Sequence, residues 1–376
     1  MATSAIGPGF LTQTSLFTQQ VLSSFGFVIL ITILIDIVVQ INIWRIVAVS
    51  ATRAQDLANK VIPGLGFFLA ALIAIGGLVF NIGNIAGCGL GFEVITGLSP
   101  KIGAGISCLV ALGIFWFREA GKVMDIFVKI LGLLMIGLTV YVAIVSQPPV
   151  AEAMHRAISP ERINILMIVT IIGGTVGGYI SFAGAHRLID AGIKGKEHIR
   201  QVTNASVSGI FITGVMRTIL FLAALGAVWH GVRLDPGNPA ATVFQSAAGE
   251  IGYIFFGIVL WCAAITSVVG ASFTSVSFWK TLVPAVAKHE KVVISIFILI
   301  STFIFIEIGR PVTLLVFAGA LNGITLPLAL VVILLIARKS SLLNGYRHPL
   351  FLQVIGWIVV AVMSWMAVLA IKEMLL

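Results

Sequence analysis

Proline and charge cut the chain into eleven apolar runs, roughly residues 5–23, 26–49, 64–95, 102–117, 123–145, 164–188, 204–229, 251–279, 292–308, 312–337 and 351–371. A helix needs about 20 apolar residues to cross the hydrocarbon core of a bilayer, which is about 30 Å thick. In that medium only helices and closed barrels keep every backbone group hydrogen-bonded, and runs of this length exceed a barrel strand. The expected fold class is an all-α integral membrane protein with eleven transmembrane helices. Composition agrees. Of 376 residues, 59% are hydrophobic and 10% charged, whereas soluble domains carry about 25% charged residues. That excludes a soluble globular protein, and the apolar content excludes a disordered one.

The breaks between runs carry turn chemistry: Ser99-Pro100, Gln147-Pro148-Pro149, Asp235-Pro236-Gly237-Asn238-Pro239 and Arg347-His348-Pro349. Residues 148–163 and 240–250 are too polar to span and are expected as short surface helices in external loops. Lys and Arg accumulate in cytoplasmic loops. With the N-terminus inside, the inner loops hold Arg45, Arg53, Lys60, Arg118, Lys122, Lys129, Arg187, Lys194, Lys196, Arg200, Lys280, Lys288, Lys291, Arg338, Lys339 and Arg347. The outer loops hold only Lys101, Arg156, Arg162, Arg233, Arg310 and Lys372, and Arg217 lies inside a span. The N-terminus is therefore expected inside, and an odd span count puts the C-terminus outside. The net charge of +9 records topology, so the expected partner is the lipid bilayer and not nucleic acid. No basic stretch or small-residue cleavage site flanks the first run, so no cleaved signal is expected. Cys88, Cys108 and Cys262 sit in apolar runs without ligand-like spacing, as small buried hydrophobes do.

Two runs cannot be plain helices. The first contains Gly7-Pro8-Gly9 and then Thr12-Gln13-Thr14-Ser15 and Thr18-Gln19-Gln20, too polar to face lipid. The sixth contains Gly173-Gly174-Thr175-Val176-Gly177-Gly178-Tyr179-Ile180-Ser181. Unwound backbone at membrane depth survives only against protein or a cavity. The breaks fall at matching places in two five-helix repeats, residues 1–145 and 164–337. An external loop (146–163) joins these, and a loop with an eleventh helix (338–376) follows. Paired breaks of this kind point to an inverted-repeat secondary transporter with its site near mid-membrane. Packing by small residues accounts for one glycine break more readily than for two in register with polar runs.

The order and spacing of several stretches resemble the natural-resistance-associated macrophage protein (NRAMP) transporters, which have the LeuT-type five-plus-five inverted repeat with broken helices one and six. The stretches are Gly7-Pro8-Gly9-Phe10-Leu11 in the first span, Asn81-Ile82-Gly83-Asn84 through Phe92-Glu93-Val94-Ile95-Thr96-Gly97 in the third, Gly173-Gly174-Thr175-Val176 in the sixth and Leu326-Pro327-Leu328-Ala329-Leu330 in the tenth. The resemblance covers nearly the whole chain. It implies alternating access and, for the parent family, proton-coupled uptake of manganese- or iron-type divalent metals. The departures matter more. Near the place of that family's Asp-Pro-Gly-Asn metal motif stand Thr12, Gln13 and Thr14. Its sixth-helix Met-Pro-His is replaced by Gly177-Gly178-Tyr179, and its third-helix acids by Asn81 and Asn84. An Asp235-Pro236-Gly237-Asn238 tetrapeptide does occur, but between spans seven and eight, where it is ordinary turn chemistry. The pattern resembles a divergent bacterial branch proposed to carry 5-oxoproline, which implies a bacterial cytoplasmic (inner) membrane.

Divalent metals take carboxylate, imidazole or sulfur ligands. The candidate substrate-binding residues are Thr12, Gln13, Thr14, Gln19, Asn81, Asn84, Gly174, Thr175, Gly177, Gly178, Tyr179, Ser181 and Asn322, and they offer none of these. Their amides suit the donor and acceptor of a lactam, and backbone amides at a helix start suit a carboxylate. The expected cargo is thus a small organic solute, with no metal site and no cofactor. The coupling ion, proton or sodium, stays open, and so does the oligomeric state, with a monomer one of the options. Asp36 and Arg217, both mid-span, are either a buried structural pair or a substrate- or ion-coupling element. His186 is either a capping residue or a proton relay. Thr266 and Ser267 are either an ion site or packing residues. No nucleophile elbow, zinc motif or paired intramembrane acid supports an enzyme, and no repeated filter supports a channel.

Overall fold

The computed structural model describes residues 7–375, with residues 118–129 described only as helix. No strand occurs among them. The long helices are α1 (Pro8–Val21), α2 (Phe25–Ser50), α4 (Leu65–Thr96), α5 (Pro100–Trp116), α6 (Arg118–Val145), α8 (Ile165–Val176), α9 (Gly178–Asp190), α10 (Ile199–Trp229), α11 (Pro239–Lys280), α13 (Glu290–Ile308), α14 (Pro311–Ala337) and α15 (Leu350–Leu375). Short helices α3 (Ala54–Val61), α7 (Val150–Ile158) and α12 (Pro284–Lys288) lie in the connections. Among the described residues, eight helical stretches are long and apolar enough to cross a bilayer, or nine if the bent pair Ile130–Val145 and Val150–Ile158 is one more. The expected α1 and α2 run together in that count, and Pro100–Trp116 falls among the shorter apolar helices.

Local chemistry sets the helix ends. Pro8, Pro100, Pro239 and Pro311 open helices at the first turn, where a missing amide costs nothing. Gly97 and Gly309 close α4 and α13 in left-handed conformation. Asp235-Pro236-Gly237-Asn238 is a turn, as expected: Gly237 N donates to Asp235 Oδ1 at 2.9 Å, and Asn238 Oδ1 caps Ala241 N at 3.3 Å. The expected short helix 240–250 is present, but it is not a surface element. It is the first part of α11, kinked at Gly249 (φ 61°), with Val243 and Phe244 buried and Phe244 stacked 4.8 Å from Phe256.

The connections sort to two ends. At one, Glu161 N donates to Ser24 Oγ at 3.1 Å and Asn164 to Glu373 at 3.2 Å. At the other, Arg53 pairs with Asp190 at 3.1 Å, and Asn344 donates to Val49 O at 3.1 Å. Side-chain volume then fixes how close the helices come. A Cβ on Gly173 of α8 would overlap Gly319 O of α14, and one on Gly323 would overlap Val169 O. These glycines let two backbones touch, the usual device where no hydrophobic effect drives helices together.

His348, in the loop before α15, is buried and hydrogen-bonds Asn42 Oδ1 through Nε2 at 2.9 Å. Asn42 Nδ2 donates to Val38 O at 2.8 Å, so Oδ1 accepts and His348 is the donor. Burial, and secondarily the charge of Arg45, push the His348 pKa down to about 4. An unfolded His titrates near about 6.5. Its stabilising contribution is therefore full above about pH 6.5 and lost as pH falls toward 4. Thermal unfolding of detergent-solubilised protein should show that decline, and His348→Gln should flatten it.

Candidate functional site

Helix α1 has 14 residues, about 21 Å at 1.5 Å per residue, too short to cross a bilayer. It is a half-helix, and its start opens on a cavity. The lining comes from Gly7, Gly9, Phe10 and Gln13 of the α1 segment, Phe80, Gly83 and Asn84 of α4, Gly174 of α8, and Leu315, Ala318 and Gly319 of α14. The sixth span reaches the same space through Gly174, three residues before its break. Helix α8 ends at Val176, Gly177 (φ −45°, ψ 156°) leaves helical conformation, and α9 begins at Gly178. The space open to the centre of a water-sized sphere is about 10 Å³, room for roughly one water. A larger ligand enters only if the half-helices move.

Two neutral amides supply the polar surface. Gln13, 1% exposed, donates through Nε2 to Leu315 O at 2.8 Å, and its Oε1 has no partner. Asn84, 2% exposed, has an unpartnered Nδ2. One free acceptor and one free donor thus belong to lining residues, and the rest of the lining is apolar side chains and glycine. The first amides of α1 have no partner within the helix and carry its positive end. Among the described residues no three His, Cys, Asp or Glu side chains come together in a metal-binding group.

Of the expected substrate residues, only Gln13, Asn84 and Gly174 line the cavity. The others sit elsewhere, each for a physical reason. Thr14 and Thr175 return their hydroxyls to their own helices, to Phe10 O and Ile171 O, at 2.7 and 2.8 Å. Thr12 is buried on another face of α1, and Gln19 is half-buried a turn and a half beyond Gln13. Asn81 is held away by Ser272 and Ser301, at 3.2 and 3.0 Å. Asn322 bridges helices through Gly76 O and Ala318 O, at 3.1 and 3.0 Å. Gly177 packs against Gly173 O and Asn322. Gly178 starts α9 near Ala329 and Thr325. Tyr179 stands behind Phe80, rings 5.7 Å apart. Ser181 Oγ donates to Val176 O at 2.7 Å, satisfying a carbonyl freed by the break. Gly7, Gly9 and Phe10, not among the expected residues, join Gln13 in the lining, and the Gly-Pro-Gly break is the sequence signal that marks them.

The other expected residues also resolve. Ala54 N donates to His186 Nε2 at 3.2 Å, and the ring stacks 4.4 Å from Phe278. His186 thus accepts the first amide of α3, as a capping residue would, and its Nδ1 has no partner. Thr266 returns its hydroxyl to Cys262 O and Ala263 O, at 3.2 and 3.0 Å, and Ser267 is half-buried beside it. Asp36 and Arg217 are both buried, but no ion pair joins them among the described residues, so a direct structural salt bridge is not what holds them.

A family profile described as natural resistance-associated macrophage protein-like matches residues 1–373. The chain belongs to the Nramp family. It is 56% identical over 368 residues to a membrane protein of Bacillus subtilis, YcsG, covering 98% of this chain and 91% of that one. A divalent metal cation transporter of Aeromonas hydrophila, MntH, is 22% identical over 302 residues, covering 75% of this chain and 71% of that one. Among solved structures, the Eremococcus coleocola manganese transporter superposes with a TM-score of 0.71 at 14% identity, over 99% of this chain and 84% of that one. MhsT, solved with L-phenylalanine, superposes with a TM-score of 0.64 at 18% identity, over 99% and 95%. The fold is the LeuT type, and family and fold are those of multi-pass membrane transporters.

The glycines of this Nramp-family site separate by neighbour. A Cβ on Gly174 would meet only Gln13 Oε1, at 2.9 Å, whereas one on Gly173 meets backbone. Gly173→Ala should lose folded protein, and Gly174→Ala should keep it, as size-exclusion profiles of detergent extracts will show.

Proposed function

We propose that this protein is a secondary active transporter that moves a small organic solute by alternating access, and that its cargo is 5-oxoproline or a similar lactam or amino-acid-like carboxylate. The supporting observation is the pair of unpartnered neutral amides, Gln13 Oε1 and Asn84 Nδ2, in a cavity at the start of a half-helix. A lactam presents one N–H and one C=O, which those two groups complement. The free amides and positive end of α1 favour the acid group.

The tetrapeptide opening α1 supports the same reading. Of Gly7-Pro8-Gly9-Phe10, the residues Gly7, Gly9 and Phe10 line the cavity, and none carries a metal-ligating side chain. A divalent cation would meet no carboxylate, imidazole or thioether on the cavity lining. Divalent-metal transport is the second reading, favoured by the names of the Aeromonas and Eremococcus relatives. Membrane potential or an ion gradient would drive uptake, the protein standing in the bacterial cytoplasmic membrane with its N-terminal side inward.

Purified protein in liposomes with an imposed proton or sodium gradient should accumulate labelled 5-oxoproline. Gln13→Leu and Asn84→Leu should each lower uptake about tenfold, the cost of one lost or orphaned buried hydrogen bond. Accumulation of manganese without any of the acid would overturn the assignment.

A further inference from the structure

Asp36 of α2 and Arg217 of α10 are charges buried at mid-span, 2% and 3% exposed. Each lies in the other's field, yet no ion pair joins them among the described residues. Asp36 Oδ1 has no partner, and neither do Arg217 Nε and Nη2. Arg217 commits a single donor, Nη1, to Thr175 Oγ1 at 3.1 Å. Its guanidinium carbon lies 4.5 Å from the centre of the Phe10 ring. Phe10 lines the cavity, and Thr175 follows the cavity residue Gly174. Arg217 therefore touches both broken spans from behind the cavity wall, with Phe10 as the partition.

A structural ion pair in a dry interior is worth keeping only with close geometry and full hydrogen bonding, and this pair has neither. What remains free is the Nε–Nη2 edge of the guanidinium, a planar fork that binds a carboxylate bidentately.

We propose that Arg217 is the subsite for a substrate carboxylate, reached when the Phe10 ring swings off its guanidinium, and that Asp36 balances the cation while the subsite is empty. This rests on the organic-solute reading and adds the group that holds the solute's charge. The partial charge at the start of α1 and the full charge of Arg217 meet at one residue, Phe10. The carboxylate and Asp36 are then rivals for one cation, so removing Asp36 strengthens anion binding, whereas a purely structural pair would weaken every ligand when either member is lost. Because Arg217 bonds Thr175 and stacks on Phe10, occupancy at its edge bears on both broken spans at once.

Calorimetric titration of the purified full chain with two probes tests this: 5-oxoproline, and 2-pyrrolidinone, the same lactam without the acid. Arg217→Gln should weaken 5-oxoproline at least about tenfold and leave 2-pyrrolidinone unchanged. Asp36→Asn should tighten 5-oxoproline severalfold, again without effect on 2-pyrrolidinone. If Arg217→Gln does not fold, the charge-balanced Asp36→Asn/Arg217→Gln variant carries the test, with the same selective loss expected. Parallel weakening of both probes, or weaker acid binding in Asp36→Asn, overturns the subsite while leaving the lactam site standing. Wild-type protein that binds manganese and neither lactam overturns the organic-solute reading and the subsite with it.

Discussion

Everything in this structure follows from one restriction: inside a bilayer there is no water to complete a broken backbone ladder. A span can be interrupted only where protein supplies the missing partners. Here it does so locally. Ser181 Oγ reaches back to Val176 O at 2.7 Å, and Trp44 Nε1 takes Ser181 O at 2.9 Å. Gln13 takes Leu315 O at 2.8 Å from across the cavity. Of these groups only Gln13 and Leu315 also line the cavity.

The scarcity of charge gives the site its character. Gln13 and Asn84 are neutral, directional and short of partners, whereas the full charge of Arg217 lies against the Phe10 ring. In a low-dielectric interior an unmade hydrogen bond is costly, which is the basis for proposing the two orphaned amides as a recognition surface for a ligand of matching polarity. Nramp-family members that carry metals and this chain share a frame of helices. The Eremococcus coleocola transporter superposes over nearly all of it, yet the frame does not dictate the lining.

Much of this was legible in the sequence, for reasons tied to particular residues. Long apolar runs set the class of fold, and the breaks read at Ser99-Pro100, Gln147-Pro148-Pro149 and Arg347-His348-Pro349 do separate helices. Two clusters of glycine marked the broken spans. What could not be read was the use of each glycine and hydroxyl. Gly173 and Gly174 are adjacent, yet one abuts a backbone carbonyl and the other the Gln13 amide. Threonine looks like a ligand until Thr14 and Thr175 are seen bonding their own helices. His186 and Asn81 were similarly ambiguous, because their partners Ala54, Ser272 and Ser301 are distant in sequence. Phe80, Leu315, Ala318 and Gly319 join the lining only through packing of α4 and α14.

The central claim is that two broken helices enclose a site for a neutral-edged organic acid and not for a metal ion. The most direct measurement is side-by-side calorimetry of the purified protein with 5-oxoproline and with manganese. The account predicts saturable heat for the acid at a single site and none for manganese. Saturable manganese binding in the micromolar range, with no heat from the acid, would contradict it.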